Sequence, residues 1–371
     1  MENIMKIKAA VLYQPNSPFK IETLDLQPPQ AGEVLVKMAA AGVCHSDWHL
    51  VTGDTQHALP VVPGHEGAGV VEAVGPGVSH LSPGDPVALN WAPNCGSCFY
   101  CLQDRPSLCE TYVEPIWAGT MMDGTTRLSK DGETVYHFSA TACFAEYTVV
   151  PQQCCVPLSK DVPPSIGALI GCAVTTGVGA VLNTSPVKPG SNVAVFGAGG
   201  VGLNIIMAAK LAGAGKIIVV DRTEVKCRLA RQFGATNTLL AGKHVVEAIR
   251  GLTDGRGADS VFEAIGIPVV QEQEFAATRP GGRLTLVGLS PMGSTTNLPG
   301  AIIGRQEKTI TGSYYGSANT ARDFPLIVSL YRQGKLDLDR LVSQTYPLEQ
   351  INEAYADMLT GNVARGVIVF E

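Results

Sequence analysis

The sequence has 371 residues, of which 45% are hydrophobic and 16% are charged, which is typical of a globular protein long enough for about two domains. The net charge of −6 argues against a nucleic-acid-binding surface, because phosphate recognition needs clustered Lys and Arg. No apolar run approaches the roughly 18 residues that a membrane helix needs, and the start of the chain lacks a signal-peptide pattern, so no membrane association is expected.

Short β-strands separated by Gly and Pro are predicted in the first part of the chain. Runs rich in Val, Leu and Ala lie at residues 9–13, 33–38, 70–74 and 87–89. Helical periodicity is nearly absent here. This pattern is typical of a compact, barrel-like β domain.

Thiol, imidazole and carboxyl groups recur within this β-rich part. Cys44 begins the string Cys-His-Ser-Asp-Trp-His, and His65 lies in Gly-His-Glu. A catalytic zinc takes three protein ligands and leaves a fourth position open. Cys44 and His65 are predicted as two of the three ligands, and Cys172, further along the chain, is the candidate for the third.

Four more cysteines follow with the spacing C-x2-C-x2-C-x7-C: Cys95, Cys98, Cys101 and Cys109. Three cysteines at this spacing cannot all form disulfides without strain, but they can wrap one tetrahedral ion. A structural zinc site is therefore predicted in a lobe at about residues 94–110. An iron–sulfur cluster is the alternative, because thiolates at x2 spacing also hold such clusters.

The remaining cysteines and the segment after the lobe are predicted to have no role in the chemistry. Residues 119–138 are polar and rich in turns, which indicates a surface excursion, and a strand is predicted at 145–150. Ten cysteines without a leader pattern favour a reducing compartment, so a cytoplasmic protein is expected. Four of them lack ligand spacing and are interpreted as packing residues: Cys143, Cys154, Cys155 and Cys227.

The pattern changes to alternating strands and helices after Gly190. A buried strand at 192–196 leads into Gly-Ala-Gly-Gly-Val-Gly at 197–202, which is followed by a predicted helix and by a second buried strand that ends in Asp221. Such glycines let backbone amides approach a pyrophosphate, and the acid accepts hydrogen bonds from a ribose diol. An acid at this position favours NAD over NADP, although Arg222 follows it.

Helices and strands continue to alternate up to residue 313. Six predicted strands separated by helices indicate a doubly wound parallel sheet. Residues 324–358 carry helical spacing, and a strand at 367–370 is predicted to return to the first domain. After the strand ending in Asp221, helices are predicted at 224–233, 244–252 and 268–278, and strands at 236–240, 259–264, 283–288 and 310–313.

Together these motifs resemble the zinc-dependent medium-chain alcohol dehydrogenases, and the resemblance covers essentially the whole chain. It rests on Cys44, the string Gly64-His65-Glu66-x2-Gly69-x5-Gly75, the four-cysteine lobe, and the glycine motif with Asp221. It implies a GroES-like β-barrel catalytic domain, residues 1–174 and 317–371, and a Rossmann coenzyme domain, residues 175–316. It also implies two zinc ions per subunit, NAD, and a homodimer through the last Rossmann strand, with a homotetramer as the alternative.

The resemblance implies roles for single residues as well. Cys44, His65 and Cys172 match the ligands of the catalytic zinc, and the four cysteines of the lobe match those of a structural zinc. Ser46 matches the hydroxyl that touches the alcohol oxygen, and His49 the residue that passes the proton to solvent. Asp47 and Glu66 match positions around the metal ligands. The substrate cleft would be lined by Trp91, Phe138, Leu289 and Tyr314.

The coenzyme contacts implied by the resemblance come from both parts of the chain. The pyrophosphate would be met by His45, Arg365 and the glycines, the nicotinamide by Val201 and Thr176, and the adenine ribose by Asp221 with Lys226. The glycines of the motif are Gly197, Gly199, Gly200 and Gly202.

The predicted activity is reversible hydride transfer between a primary alcohol, including bulky or aromatic ones, and NAD. Two alternatives stay open: a formaldehyde-adduct or polyol dehydrogenase of the same fold, and a non-catalytic protein that binds zinc and NAD. Two departures from the family pattern stand out. His45 replaces an Arg common in several relatives, and the residues around Glu114 lack the Arg that glutathione-dependent formaldehyde dehydrogenases use.

Overall fold

The structure is a computed structural model that describes residues 4–361 and 363–371. The chain divides into two compact units. Unit 1 runs up to Ala173 and includes Asn319–Val328 and Leu338–Glu371, whereas unit 2 contains Val174–Ala318 and Ser329–Asp337. The predicted boundaries after residues 174 and 316 lie within two residues of this division, but the prediction left Ser329–Asp337 in the catalytic domain.

Strands occur throughout the part of the chain that the structure describes. In chain order the strands are β1 (Met5–Val11), β2 (Lys20–Leu26), β3 (Glu33–Gly42), β4 (Val61–Val62), β5 (Gly67–Val74), β6 (Pro86–Leu89), β7 (Leu128–Lys130), β8 (Glu133–His137), β9 (Tyr147–Pro151), β10 (Cys155–Pro157), β11 (Asn192–Phe196), β12 (Lys216–Asp221), β13 (Asn237–Leu240), β14 (Ala258–Glu263), β15 (Thr278–Leu286), β16 (Thr309–Gly312), β17 (Val342–Tyr346) and β18 (Arg365–Val369).

The α-helices are concentrated in the second half of the chain. They are α1 (His45–Thr52), α2 (Phe99–Leu102), α3 (Glu110–Ala118), α4 (Pro164–Leu169), α5 (Thr175–Gly179), α6 (Gly200–Leu211), α7 (Glu224–Phe233), α8 (Val245–Leu252), α9 (Pro268–Ala277), α10 (Gly300–Arg305), α11 (Thr320–Arg332) and α12 (Ile351–Thr360).

Unit 1 is built from two β-sheets, which confirms the prediction of a β-rich first part. Its strands have the orders β1-β2-β7-β8-β4 and β10-β6-β5-β3-β18-β17, and β9 also pairs with β3. The last strand, β18, is antiparallel to β3, with Val369 opposite Ala40, so the chain end returns to this unit as predicted. Side chains such as Val36 and Phe144 fill the core.

Unit 2 is a six-stranded parallel sheet with the order β13-β12-β11-β14-β15-β16. Numbered within the unit, this order is 3-2-1-4-5-6, which is the doubly wound order of a Rossmann fold. The inner strands β11 and β12 are largely buried, as expected of a parallel sheet covered by helices, and that burial explains why their apolar runs were recognisable, whereas the edge strands β13 and β16 are half-buried to exposed. The predicted doubly wound sheet is confirmed.

One prediction about the segment after the four-cysteine lobe was wrong, and a helix before the lobe was not predicted. Helical periodicity is nearly absent from the β-rich first part, up to residue 89, but the helix α1 forms there. Residues 119–138 are not only a surface excursion, because β7 and β8 form a hairpin in the five-stranded sheet of unit 1. Arg127, directly before β7, and His137, the last residue of β8, are buried. The strand β17 was also not predicted.

Among the described residues, one helix is long and apolar enough to cross a membrane by length and composition alone, contrary to the expectation from the sequence. It is Pro164–Thr184, with 21 residues and a mean hydropathy of 1.8, and 89% of its apolar window is buried inside the protein. It contains α4 and α5, with π-helical turns at Ile170–Val174 and Ala180–Thr184. Such burial is what a core helix shows, since a helix apolar on all sides is covered by its own protein or by lipid.

Candidate metal and coenzyme sites

The three predicted ligands of a catalytic metal are brought together in unit 1. Cys44, His65 and Cys172, together with Glu66, each offer a ligand atom, and these atoms all lie within 4.8 Å of one another. Cys44 precedes α1, His65 follows β4, and Cys172 lies in the π-helical turn after α4. The cluster therefore joins parts of the chain that are distant in sequence.

Glycines let the backbone approach closely enough to form this cluster. Gly64 has a φ of 92°, in the left-handed region that favours glycine, and a Cβ there would lie 2.8 Å from the backbone nitrogen of Phe144. A Cβ on Gly171 would lie 2.7 Å from the carbonyl oxygen of Leu89. Side chains at these two positions would displace the neighbouring His65 and Cys172.

His65 has the environment of a metal ligand. Its Nδ1 lies 3.0 Å from Oδ1 of Asp47, and the carboxylate favours the tautomer with the proton on Nδ1. The lone pair of Nε2 is then free for a metal. Nε2 is buried and makes no hydrogen bond in the described structure, which is the state expected of a ligand atom that needs a cation. The imidazole therefore fits a zinc ion.

The two sulfur atoms of the cluster interact with each other through a hydrogen bond. A hydrogen bond from Cys172 lowers the pKa of Cys44 well below its ordinary value, and it raises the pKa of Cys172. Burial lowers the pKa of His65, but the charges of Asp47 and Cys44 outweigh this effect and the net shift is upward. The raised pKa values mean that His65 and Cys172 bind their protons more tightly than usual. A zinc ion bound by this cluster would displace such protons.

Glu66 lies beside the cluster and is bound by Arg365. Arg365 donates hydrogen bonds to Oε2 of Glu66 and, at 2.8 Å, to the carbonyl oxygen of Val43. Burial raises the pKa of Glu66 to about 7 despite the opposing charge of Arg365. Oε1 of Glu66 is buried without a hydrogen-bond partner. The resemblance placed Arg365 at the pyrophosphate, and the structure shows its contact with Glu66.

Ser46 and His49 lie three residues apart on α1, and side chains at that spacing share one face of a helix. Oγ of Ser46 is 3.8 Å from Sγ of Cys44, which places the hydroxyl next to the cluster. Both side chains are half-buried, whereas Asp47 between them is fully buried and points to His65. Their roles in proton transfer remain predictions.

Two of the four predicted substrate-cleft residues lie against His65. The rings of Trp91 and Phe138 meet the imidazole edge to face, with centroid distances of 6.2 and 5.8 Å and interplanar angles of 90° and 85°. The other two are in unit 2, where Leu289 is 51% exposed and Tyr314 is half-buried.

The four cysteines of the lobe have the geometry of a single-ion site. Their sulfur atoms all lie within 4.8 Å of one another. Sγ of Cys95 is 4.0 Å from Sγ of Cys101, and Sγ of Cys98 is 3.8 Å from Sγ of Cys109. Zn–S bonds of about 2.3 Å in a tetrahedron separate sulfur atoms by about 3.8 Å. All ten cysteines are free, and the four packing cysteines are buried as predicted.

In unit 2 the glycine motif connects β11 to α6, which begins at Gly200. A Cβ on Gly202 would lie 1.8 Å from the carbonyl oxygen of Gly197, so only glycine permits this close turn. The carboxylate of Asp221 accepts a hydrogen bond from the backbone of Ala198 at 2.8 Å. The acid at the end of β12 and the loop after β11 are thus adjacent, as a dinucleotide site requires.

The other predicted coenzyme residues differ in exposure. Thr176 is buried on α5, and a Cβ on Gly177 would lie 2.6 Å from the carbonyl oxygen of Val201, so α5 packs directly on the start of α6. Lys226 is half-buried on α7, and its backbone nitrogen donates to Oγ1 of Thr223. His45 is exposed in unit 1.

Sequence reasoning missed residues that shape the site without donating ligand atoms. Gly42 and Gly171 directly flank the ligand-bearing segments, and a Cβ on Gly42 would lie 2.1 Å from Oε2 of Glu66. The aromatic ring of Tyr355 stacks on Trp48 at a centroid distance of 5.6 Å. The available sequence signals were Gly42, two residues before Cys44, and Gly171, directly before Cys172, whereas Tyr355 is far away in sequence.

Two family models match the chain. The alcohol dehydrogenase GroES-like domain matches residues 30–160, and the zinc-binding dehydrogenase model matches residues 200–332. These two regions contain β3–β10 and α6–α11, so they support the assignment of a GroES-like and a Rossmann domain.

Similar proteins cover almost the whole chain. An NDMA-dependent alcohol dehydrogenase of Amycolatopsis methanolica is 38% identical, over 98% of this chain and 99% of its own. The crystal structure of benzyl alcohol dehydrogenase from Acinetobacter calcoaceticus has a TM-score of 0.94 and 34% identity, over 99% of this chain and 100% of its own. A structure from Sinorhizobium meliloti 1021 that is bound to NADP has a TM-score of 0.79 and 26% identity, over 99% and 100% of the two chains.

Proposed function

The chain belongs to the zinc-dependent medium-chain alcohol dehydrogenases, and from this premise we propose that it transfers a hydride reversibly between a primary alcohol and NAD. The observation that carries the proposal is the convergence of Cys44, His65 and Cys172, with Nε2 of His65 buried and without a hydrogen bond. This donor set is one that catalytic zinc takes in proteins.

Zinc held by these ligands would lower the pKa of a bound alcohol to near neutrality. The protein residues supply the remaining steps. Oγ of Ser46, next to Cys44, accepts the proton from the substrate hydroxyl, and His49 on the same face of α1 passes it to water. Asp47 holds the imidazole of His65 in its ligand tautomer.

NAD is the proposed coenzyme because Asp221 ends β12. Its carboxylate would accept hydrogen bonds from the ribose hydroxyls, and the same charge would repel a 2′-phosphate. The exposed Arg222 offers a cation nearby, and a similar structure holds NADP, so the two coenzymes need to be compared directly.

Bulky or aromatic primary alcohols are the proposed substrates. Trp91 and Phe138 present aromatic surface beside His65, and such surface suits an aromatic ring held near the metal. The similarity to a benzyl alcohol dehydrogenase supports the same class.

A second zinc is proposed in the four-cysteine lobe. The sulfur separations of 3.8 and 4.0 Å support one tetrahedral ion and not a larger iron–sulfur cluster. Because four thiolates leave no open position, this ion would stabilise the lobe and take no part in the reaction.

We also propose a cytoplasmic homodimer that forms through β16. This strand lies at one edge of the sheet of unit 2, and an edge strand can pair with a second copy. Light scattering should give twice the chain mass of 39.0 kDa. Four times that mass would indicate the tetramer, and a single-chain mass would contradict the proposal.

The direct test is metal analysis of the purified protein combined with a substrate panel. The panel contains benzyl alcohol, ethanol, a polyol and the glutathione adduct of formaldehyde, each with NAD and with NADP, and with NDMA as an added acceptor. We expect two zinc equivalents and the highest kcat/KM for benzyl alcohol with NAD. Preference for the polyol or the adduct would assign the alternative activity, and zinc and NAD binding without turnover would indicate a non-catalytic protein.

A further inference from the structure

Three consecutive residues of unit 2 have left-handed backbone conformations. Tyr315, Gly316 and Ser317 have φ values of 54°, 67° and 50°, and we call them the left-handed tripeptide. Non-glycine residues adopt this region infrequently because it costs free energy, and such strain is often found at functional sites. The tripeptide follows β16 at the carboxyl edge of the parallel sheet, the edge where doubly wound folds bind their ligands.

The left-handed tripeptide packs closely against α5, the helix that carries Thr176. A Cβ on Gly316 would lie 2.5 Å from the carbonyl oxygen of Thr175 and 2.9 Å from that of Thr176. A Cβ on Gly179 would lie 2.4 Å from the carbonyl oxygen of Gly316. Two glycines therefore allow backbone to touch backbone, and a shift of the tripeptide would be transmitted to α5 because no flexible side chain lies between them.

The opposite contact of α5 is with the start of α6. A Cβ on Gly177 would lie 2.6 Å from the carbonyl oxygen of Val201 and 2.5 Å from Cβ of Asn204. The helix turn with Thr176 is thus confined between the coenzyme loop and the left-handed tripeptide. Its position depends on both neighbours.

A hydroxyl group fastens the tripeptide. Oγ1 of Thr184 lies 2.9 Å from Oγ of Ser313 and 2.8 Å from Oγ of Ser317, so it bridges the residues on either side of Tyr314–Gly316. Nδ2 of the neighbouring Asn183 donates to the carbonyl oxygen of Gly316 at 3.3 Å. Thr184 is half-buried at the end of the helix that contains α5.

We propose that Thr184 is a positioning residue for the nicotinamide half of the coenzyme. Its hydroxyl fixes the left-handed tripeptide, and the tripeptide fixes the helix turn that presents Thr176 to the nicotinamide. The inference rests on the proposed function, because it takes Thr176 as a nicotinamide contact. The predicted pyrophosphate and adenosine contacts come from the glycine loop and Asp221, so the loss of the Thr184 hydroxyl should weaken them less than the predicted nicotinamide contact of Thr176.

The test compares NADH with ADP-ribose, which lacks the nicotinamide ring, by titration calorimetry on the full, zinc-loaded protein. Thr184→Val keeps the shape of the side chain and removes its hydroxyl. We expect the Kd for NADH to rise about five- to tenfold, the change expected for one lost hydrogen bond, while the Kd for ADP-ribose changes less than about twofold. Thr184→Ser restores the hydroxyl and should restore NADH binding.

Ser185→Ala is the matched control. Ser185 is the next residue, and its hydroxyl makes a comparable contact of 2.6 Å, but with Thr285 on β15 and not with the tripeptide. The ratio of the two Kd values should stay at its wild-type value in this variant. Should Thr184→Val fold poorly, Ser317→Ala removes the same bridge from the other side and should show the same selective loss.

Equal weakening of NADH and ADP-ribose, or unchanged NADH binding in Thr184→Val, would overturn the positioning role. Failure of the proposed function is distinguishable, because it appears in the wild-type protein as absent NADH binding or absent alcohol oxidation. The inference can thus fail while the wild type remains an active dehydrogenase.

Discussion

Nδ1 of His65 lies 3.0 Å from Oδ1 of Asp47, and this oxygen also accepts a hydrogen bond from the backbone nitrogen of Gly64 at 2.9 Å. One carboxylate oxygen therefore fixes both the imidazole and the turn that delivers it. Asp47 is fully buried, so this pairing is shielded from water. The position of His65, a predicted metal ligand, therefore depends on a residue outside the group of Cys44, His65, Glu66 and Cys172.

Asp47→Asn should weaken zinc binding at the catalytic site. The amide keeps the shape but loses the charge that favours the Nδ1–H tautomer, and removal of such a partner costs about 10- to 100-fold in metal affinity. Competition with a chelator measures this loss. Asp54→Asn, an exposed carboxylate near the end of α1, is the control, and equal zinc affinity in the two variants would contradict the role of Asp47.

Gly42→Ala should destabilise unit 1 because the new Cβ would lie 2.1 Å from Oε2 of Glu66. Glu66 must then move away from Arg365, and overpacking of this kind costs about 1–3 kcal/mol. Gly251→Ala is the control, since a Cβ there meets nothing within 4 Å and alanine favours the helix. Urea denaturation should show a lower midpoint for the first variant only; an unchanged midpoint would mean that the Glu66–Arg365 pair is not fixed as described.

Arg127→Met should lower the free energy of unfolding by about 3–5 kcal/mol. Arg127 is 1% exposed and donates two hydrogen bonds to Glu33, at 2.8 and 2.6 Å, so its removal leaves a buried carboxylate without its partner. The exposed pair of Arg256 with Asp254 provides the contrast, since Arg256→Met should change stability by less than about 1 kcal/mol. Similar losses in the two variants would show that the Glu33 pair is not a buried one.

Glu274→Gln should stabilise the protein increasingly as the pH rises. Burial, together with the nearby carboxylate of Glu263, raises the pKa of Glu274 well above its ordinary value, and neither of its oxygens has a hydrogen-bond partner in the described structure. A raised pKa in the folded state means that the folded protein holds a proton that the unfolded chain releases above about pH 4.5, so stability falls as the pH rises from there towards the folded-state pKa.

Gln at this position does not titrate, so the variant does not lose stability in this way as the pH rises. The advantage of the variant should therefore be small near pH 5 and grow by at most about 1.4 kcal/mol per pH unit above it. Thermal unfolding of wild type and variant between pH 5 and 8 measures the trend. The exposed Glu247→Gln should show no such trend, and an advantage of Glu274→Gln that is the same at all pH values would refute the linkage.

The sequence predicted those strands and helices whose pattern of apolar and polar residues matches their burial in the fold. The strands β11 and β12 are buried apolar runs between helices, and they lie within two residues of the predicted positions, as does β14. The helix α1 was not predicted because it lacks the apolar stripe by which a helix is recognised. Several of its positions carry polar residues of the candidate site, such as Ser46, Asp47 and His49. The hairpin of β7 and β8 escaped because its strands are short and polar, and its buried Arg127 is stabilised by a partner distant in sequence.

The residues of the candidate site were predictable where the chemistry requires a particular residue type. They were less predictable where the role of a residue depends on packing in the folded protein. Cys44 and His65 were found by ligand type and spacing, and Cys172 largely by family resemblance. The contact of Arg365 with Glu66 and the hydroxyl bridge of Thr184 depend on the tertiary structure, because residues distant in sequence meet only after folding.

The most direct test of the account is the activity and coenzyme affinity of Cys44→Ser, measured alongside its zinc content. We predict that alcohol-dependent NADH formation is abolished, that zinc falls from two equivalents to one, and that the Kd for NAD changes little, because the glycine loop and Asp221 are untouched. Full turnover in this variant, or zinc that stays at two equivalents without change in activity, would contradict the assignment of Cys44 as a ligand of the catalytic metal.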